Sequence, residues 1–151
     1  MITFGTVSLN ESMVFDDVYE PELQLEIEEK AELLKDAITI YMFVGGKVAG
    51  ETFGLPTDKL EEKLPNVIPS SSIIYCYSTT LLPIYQGQGL GSILKAYWLG
   101  MLRAHGYTRV CSHATSPAAL KLAQMFGVIT GPQYENWCGS KRTAIYYEGA
   151  V

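Results

Sequence analysis

Pro83-Ile84-Tyr85-Gln86-Gly87-Gln88-Gly89-Leu90-Gly91-Ser92 joins a strand-like run over 72–82 to an amphipathic segment over 90–104. Three glycines spaced two apart at such a junction let the backbone wrap closely around a ligand. Glycine has no Cβ, so it reaches dihedrals and approach distances closed to other residues. The helix that follows points its first free N–H groups, and the positive end of its dipole, at the same spot. That combination suits a phosphate or pyrophosphate.

Outward from this loop, the helix carries a wide apolar stripe of Leu90, Ile93, Leu94, Tyr97, Trp98, Met101 and Leu102, with Gly106 as its stop. Thr108 to Ala114 reads as the next strand. Ser116-Pro117 then starts a helix, Ser as N-cap and Pro at the first helical position, ending near Gly127. Upstream, residues 2–9 alternate loosely as a first strand, and Pro21 to Ala37 reads as an acidic amphipathic helix. The run 38–44 is β-branched and aromatic, Gly45-Gly46 marks a hairpin, and Val48 to Leu55 returns as its partner. Thr57 to Ser71 is a polar connection with room for one helical turn. Thr143 to Glu148 reads as a last strand, paired with residues around Tyr134 to Cys138. The unit 72–114 is expected to be a right-handed crossover between parallel strands. The hairpin and tail add antiparallel strands, so the sheet is mixed. The expected class is α/β (mixed α+β), with residues 1–151 as one domain.

Composition narrows the function. The chain of 151 residues is 48% hydrophobic and 18% charged, as a globular chain is. Its net charge of −5 argues against a nucleic-acid partner. No stretch approaches a membrane span, and no signal peptide is expected. Three cysteines, with no CxxC pair, fit a reducing cytoplasm. Cys111 and His113 are two apart, too few for a metal site, so none is expected. Cys76 and Cys111 read as small core residues.

Three phosphate-binding patterns compete for the loop. A P-loop needs Lys after its last glycine, and Ser92 stands there. A dinucleotide fingerprint needs a third glycine where Ile93 sits, and an acidic residue some 20 positions on, which is missing. The loop instead resembles that of the GCN5-related N-acetyltransferases (GNAT family), whose signature is Gln/Arg-x-x-Gly-x-Gly/Ala. Gln86, Gly89 and Gly91 fill it, and Leu81-Leu82-Pro83 fills the apolar-x-Pro lead-in. Ser116 to Val128 is similar to a drifted second motif, and the hairpin ending Val48-Ala49-Gly50-Glu51 to the family's second and third strands.

The resemblance implies a central mixed, mostly antiparallel sheet with helices on both faces and a splayed parallel pair holding the cofactor. It implies acetyl-CoA as donor substrate. The pyrophosphate would lie on the backbone amides of Gly87, Gln88, Gly89, Leu90, Gly91 and Ser92, with Gln86 closing the loop. The pantetheine arm would pair with the backbone at Leu81 and Leu82, with Ser116 at the start of the following helix. Holding a thioester at both ends fixes its carbonyl for attack. The family tyrosine that protonates the departing thiolate aligns with Ala123, which holds no such proton. The base position in the strand before the loop matches Tyr75 and Tyr77, which alternation places on one face with Thr79. His113 is a further candidate acid–base group, and its alternative is a hydrogen-bonded structural histidine. His105 reads as structural.

The expected reaction moves an acetyl group from acetyl-CoA to a primary amine by direct attack in a ternary complex. The alternative is a CoA-binding protein of this kind without turnover, acting as an interaction or regulatory module. Expected partners are an amine-bearing small molecule or protein substrate, with no nucleic acid and no membrane. A homodimer is one allowed assembly. The acceptor would enter between 20–37, 57–71 and 134–142, past Tyr134 and Trp137.

Overall fold

The computed structural model describes residues 1–126 and 128–151. In chain order the elements are Ile2–Gly5 (β1), Leu9–Ser12 (α1), Ile27–Lys35 (α2), Ile38–Val44 (β2), Lys47–Pro56 (β3), Ile73–Leu81 (β4), Leu90–Ala104 (α3), Arg109–Ala114 (β5), Pro117–Phe126 (α4), Val128–Tyr134 (β6) and Ala144–Ala150 (β7). One seven-stranded sheet runs β1-β2-β3-β4-β5-β7-β6. Only β4 and β5 pair in parallel; every other pair is antiparallel. A mixed sheet with a single parallel pair is therefore the observed class, as expected.

The local signals explain most of these elements. Gly45 and Gly46 turn the β2–β3 hairpin with φ of +58° and +82°, a turn that residues with a Cβ resist. Ser116 Oγ accepts from Ala119 N at 3.1 Å, so the capping serine and Pro117 start α4 as expected. The expected end of that helix at Gly127 lies outside the described residues.

Three expectations shift. The first strand stops at Gly5, because Ser8 and Glu11 form a capping box that opens α1. The second helix does not begin at Pro21. Pro21–Leu23 is one 3₁₀ turn, and a second capping box between Glu26 and Glu29 starts α2 at Ile27. The last strand pairs with β5 and with β6 over 128–134; of the expected 134–138 partner only Tyr134 pairs, opposite Ala144, and the chain then turns through a 3₁₀ segment at Trp137–Gly139.

The core forms where α3 crosses the sheet. Leu94, Trp98 and Leu102 are fully buried against Ile74, Met42 and Val110. The Trp98 ring enters because Gly54 lies beneath it: a Cβ there would come within 2.5 Å of the Tyr75 carbonyl and 2.9 Å of the ring. The stripe is rotated from its expected position. Ile93 and Tyr97 are exposed at 43% and 46%, whereas Lys95 is buried at 2%. A period of 3.6 places residues on a helix face but says nothing of polar partners waiting on the sheet.

Helices cover both faces. On the side opposite α3, Lys30 of α2 is fully buried and binds Glu51 of β3, Nζ to Oε1 3.0 Å, and the Ser12 carbonyl at 2.8 Å. Ser12 Oγ and Tyr41 Oη donate to the same carboxylate at 2.6 and 2.7 Å. Asp16 Oδ2 stands 3.7 Å from the ammonium and accepts no hydrogen bond.

Candidate functional site

The parallel pair β4–β5 is short. Register runs Ile73–Arg109, Ile74–Val110 and Tyr75–Cys111, and stops. β4 continues for six more residues, to Leu81, without a strand on that side. Its other edge stays paired with β3 as far as Leu81–Gly50. The result is a V with its vertex just beyond Tyr75 and Cys111, where Ser112 Oγ donates to the Cys76 carbonyl at 2.6 Å. An extended ligand entering the V can add itself to the free edge of β4 as a strand would.

A bulge in β4 accompanies the opening. Phe53 pairs with Ser78 and Gly54 with Cys76, which leaves Tyr77 as the extra residue. The bulge reverses the alternation. Tyr75 and Tyr77 share a face and meet edge to face, ring centroids 6.1 Å apart. Thr79, expected with them, turns toward Cys76 on the α3 side, Oγ1 to Sγ 3.5 Å. Ser78 and Thr80 take the tyrosine side, where both bond the Tyr19 hydroxyl.

At the wide end of the V lies the glycine loop. Gly87 and Gly89 have φ of +76° and +77°, and Gly89 caps α3 in the left-handed region. Gly91 lies inside the first turn, where a Cβ would meet Leu81 at an ordinary 3.8 Å. Among the described residues, no backbone N–H from Gly87 to Ser92 donates to a turn, loop or cap partner, as expected of a loop leading into the first turn of a helix. Gln86 Nε2 donates to the Leu81 carbonyl at 2.9 Å, Gln88 Nε2 to Ile84 at 3.1 Å, and Ser92 Oγ to Gly89 at 2.8 Å. Leu90 is buried in the core. The side chains thus hold the loop's shape and leave its amides free. Leu82 differs from Leu81: its N–H binds the Ala49 carbonyl at 2.9 Å and its own carbonyl accepts from Tyr85, so its backbone is engaged within the fold.

On the α1–α2 side of the V an aromatic wall surrounds His113. The ring stacks on Trp137 with centroids 4.3 Å apart and meets Tyr134 and Tyr146 at 5.8 and 5.3 Å. Its Nε2 lies 3.0 Å from the Pro65 carbonyl and its Nδ1 2.8 Å from the Tyr75 hydroxyl. A carbonyl only accepts, so Nε2 carries the proton and Tyr75 donates to Nδ1. Neither ring nitrogen is free. Burial pushes the imidazole down to about 4, against the Pro65 bond, and burial holds the Tyr75 phenol above its usual range. Tyr77 is the open member of the group, 37% exposed, stacked on Phe53 at 5.6 Å, and pushed up to about 12 by burial and then by Glu62.

The segments 20–37, 57–71 and 134–142 converge here. Glu20 pairs with Arg142 at 2.8 Å, Tyr134 Oη donates to Asn66, and His113 holds Pro65. Arg142, Ser116, Leu120 and Ile145 also line a cavity of 340 Å³ at the start of α4.

The Lys95 cluster was missed in the sequence. Its Nζ lies 2.9 Å from Cys76 Sγ and 4.9 Å over the Trp98 ring, directly beneath the vertex. Burial alone would lower its pKa, but Cys76 and Tyr147 outweigh that and hold it above the usual lysine range. A lone Lys in a helical pattern carries no sign of this; its partners come from β4 and β7.

No protein-family model matches the sequence, and no curated protein matches it. Solved structures do match over the whole chain. The ribosomal-protein-S18-alanine N-acetyltransferase from Escherichia coli superposes with a TM-score of 0.78 at 15% identity, over 100% of this chain and 94% of that one. An acetyltransferase of the GNAT family from Streptococcus pneumoniae gives 0.69 at 17% identity, over 100% and 99%. The putative acetyltransferase yncA from Salmonella typhimurium, crystallised with its cofactor acetyl-CoA, gives 0.71 at 13% identity, over 99% and 94%. The splayed strand pair, the glycine loop at its mouth and these superpositions together place the chain in the fold of the GCN5-related N-acetyltransferases.

Proposed function

We propose that the protein is an N-acetyltransferase that moves the acetyl group of acetyl-CoA to a primary amine in a ternary complex. The observation that carries this reading is the free edge of β4 beyond Tyr75, ending at a loop whose backbone amides have no turn or loop partner. A CoA thioester has a pyrophosphate at one end and an amide-bearing arm at the other. The amides of Gly87 to Ser92 and the N-terminus of α3 suit the first. The open β4 edge, with Leu81 rather than Leu82 offering its N–H, suits the second. Neighbouring structures support the same donor, one of them bound to acetyl-CoA.

The amine enters from the Tyr77 side, between the three convergent segments. Tyr77 meets it with a hydroxyl, while the Tyr75–His113–Pro65 chain fixes the wall behind. Both tyrosines and His113 are neutral in this arrangement, so the amine reaches the thioester as its own neutral fraction, its proton having gone to water. Ser116 starts α4 beside the arm. Ala123 in place of an acid favours a second reading, a CoA-binding protein without turnover.

Titration with acetyl-CoA and a thiol-release assay over an amine panel separate the two. Gly89→Asp sets a carboxylate against the phosphates and is expected to weaken acetyl-CoA binding at least about 100-fold. Unchanged affinity in a folded variant refutes the site. Tight binding with no amine-dependent thiol release leaves the second reading standing.

A further inference from the structure

The geometry points to Tyr147 of β7 as the group that protonates the departing thiolate, a catalytic residue supplied by a strand in place of one on α4. This rests on the acetyl transfer proposed above. Tyr147 stands opposite Ser112 in the β5–β7 register. Its ring packs on Ala114 and Ala123, two side chains small enough to let it lie across the underside of β5. Burial raises its phenol pKa, and Lys95 and Ser112 lie near enough to offset part of that rise. Ser112 in turn donates to Cys76, the first residue of β4 past the last parallel pair. The phenol is thus delivered to the vertex of the V from the α3–α4 side, opposite the acceptor wall. Ala123 is what makes the room: a larger side chain there would occupy the space of the Tyr147 ring.

Lys95 supplies the second observation. A buried ammonium normally has a carboxylate partner. Among the described residues Lys95 has no ion pair with Asp or Glu; its partners are the Cys76 sulfur, the Trp98 ring face and the Tyr147 phenol. The ammonium's partners are a thiol and a phenol rather than a carboxylate, and a thiolate is the anion that the reaction creates on that side.

The step balances as follows. The neutral amine nitrogen forms a bond to the thioester carbon, and the C–S bond breaks with its electron pair on sulfur. The Tyr147 hydroxyl proton passes to that sulfur, giving the free thiol. The phenolate takes a proton from the Lys95 ammonium, which recovers one from solvent, matching the proton that the acetylated nitrogen has released. Lys95 acts through Tyr147 and is a positioning residue.

The test uses the full chain and its conservative variant Tyr147→Phe, with folding checked by thermal melting. Binding of CoA is compared with binding of desulfo-CoA, which lacks only the thiol. The wild-type chain is expected to bind CoA about fivefold more tightly, one hydrogen bond's worth, and the variant to bind the two alike. Equal affinities in the wild-type chain, or a preference that survives in the variant, overturn the assignment. Failure to bind either compound overturns the acetyl-CoA site itself, a separable result. In turnover, Tyr147→Phe is expected to lower kcat about 100-fold with acetyl-CoA. With the acetyl thioester of 4-nitrothiophenol, whose thiolate leaves without a proton, the loss is expected to shrink to about threefold or less. A loss of the same size with both donors refutes the role.

Discussion

Among the described residues two lysines are buried, one under each face of the sheet, and they are held by different chemistry. Lys30 sits between two carboxylates, Glu51 and Asp16, with Ser12 and Tyr41 completing the bonds around Glu51. Lys95 has a thiol at 2.9 Å, an indole face and a phenol. The first arrangement is closed: the ammonium finds its counter-charge within the fold, and its product is a fixed α2 lying over β3. The second has no carboxylate: its ammonium is held by a thiol and a phenol, groups that can themselves give up a proton. A buried ion pair that balances itself speaks for architecture. A buried cation with soft, proton-bearing partners at the vertex of a cleft speaks for chemistry.

Removing each cation breaks the comparison most directly. Lys30→Met strands Glu51 and Asp16 without a counter-ion, and is expected to cost about 3–5 kcal/mol in urea unfolding. A loss below about 1 kcal/mol would show that water reaches the pair. The next effect belongs to the aromatic wall and is read from pH. The His113 pKa falls from 6.5 in the unfolded chain to about 4 in the fold, so the unfolded chain binds more protons between those values. Stability is full above 6.5 and falls as acid passes down to about 4. The loss, discounted for nearby solvent, is about 2 kcal/mol. His113→Gln is expected to flatten that part of the profile.

Lys95→Met sharpens the contrast from the other side. It strands no carboxylate and replaces the stem with an apolar chain of similar length. It is expected to change stability by no more than about 1.5 kcal/mol while lowering turnover. A loss of stability as large as that of Lys30→Met would make the two lysines equivalent. The smallest effect is at the start of α4. Ser116→Ala removes the bond to the Ala119 N–H and is expected to cost about 1 kcal/mol, with acetyl-CoA affinity reporting whether the hydroxyl also serves the arm.

The two lysines also divide what could be read in advance. The loop from Gln86 to Ser92 was legible because every feature in it is local: glycines where φ is positive, a helix start, Gln86 within reach of Leu81. The β2–β3 hairpin and the cap of α4 were legible for the same reason. Tyr75 and His113 stand out in the sequence as candidate acid–base groups on the strands before and after the long helix. Their mutual bond was not legible there, because it joins β4 to β5, 38 positions apart. The bulge at Tyr77 has no local signature either, and it moved Thr79 to the opposite face. Lys95 reads as a polar interruption in an apolar helix until Cys76 and Tyr147 are brought to it from two other elements.

By itself, the sequence determined the glycine loop, the long helix behind it and the order of strands around them. These follow from dihedral limits, capping and periodicity, all settled within a few residues. The tertiary structure alone decided where the parallel strands part, which tyrosine stays open, and which phenol and ammonium meet beneath the vertex. Those outcomes depend on registers and packed faces that bring distant residues together, and no local pattern encodes such a meeting.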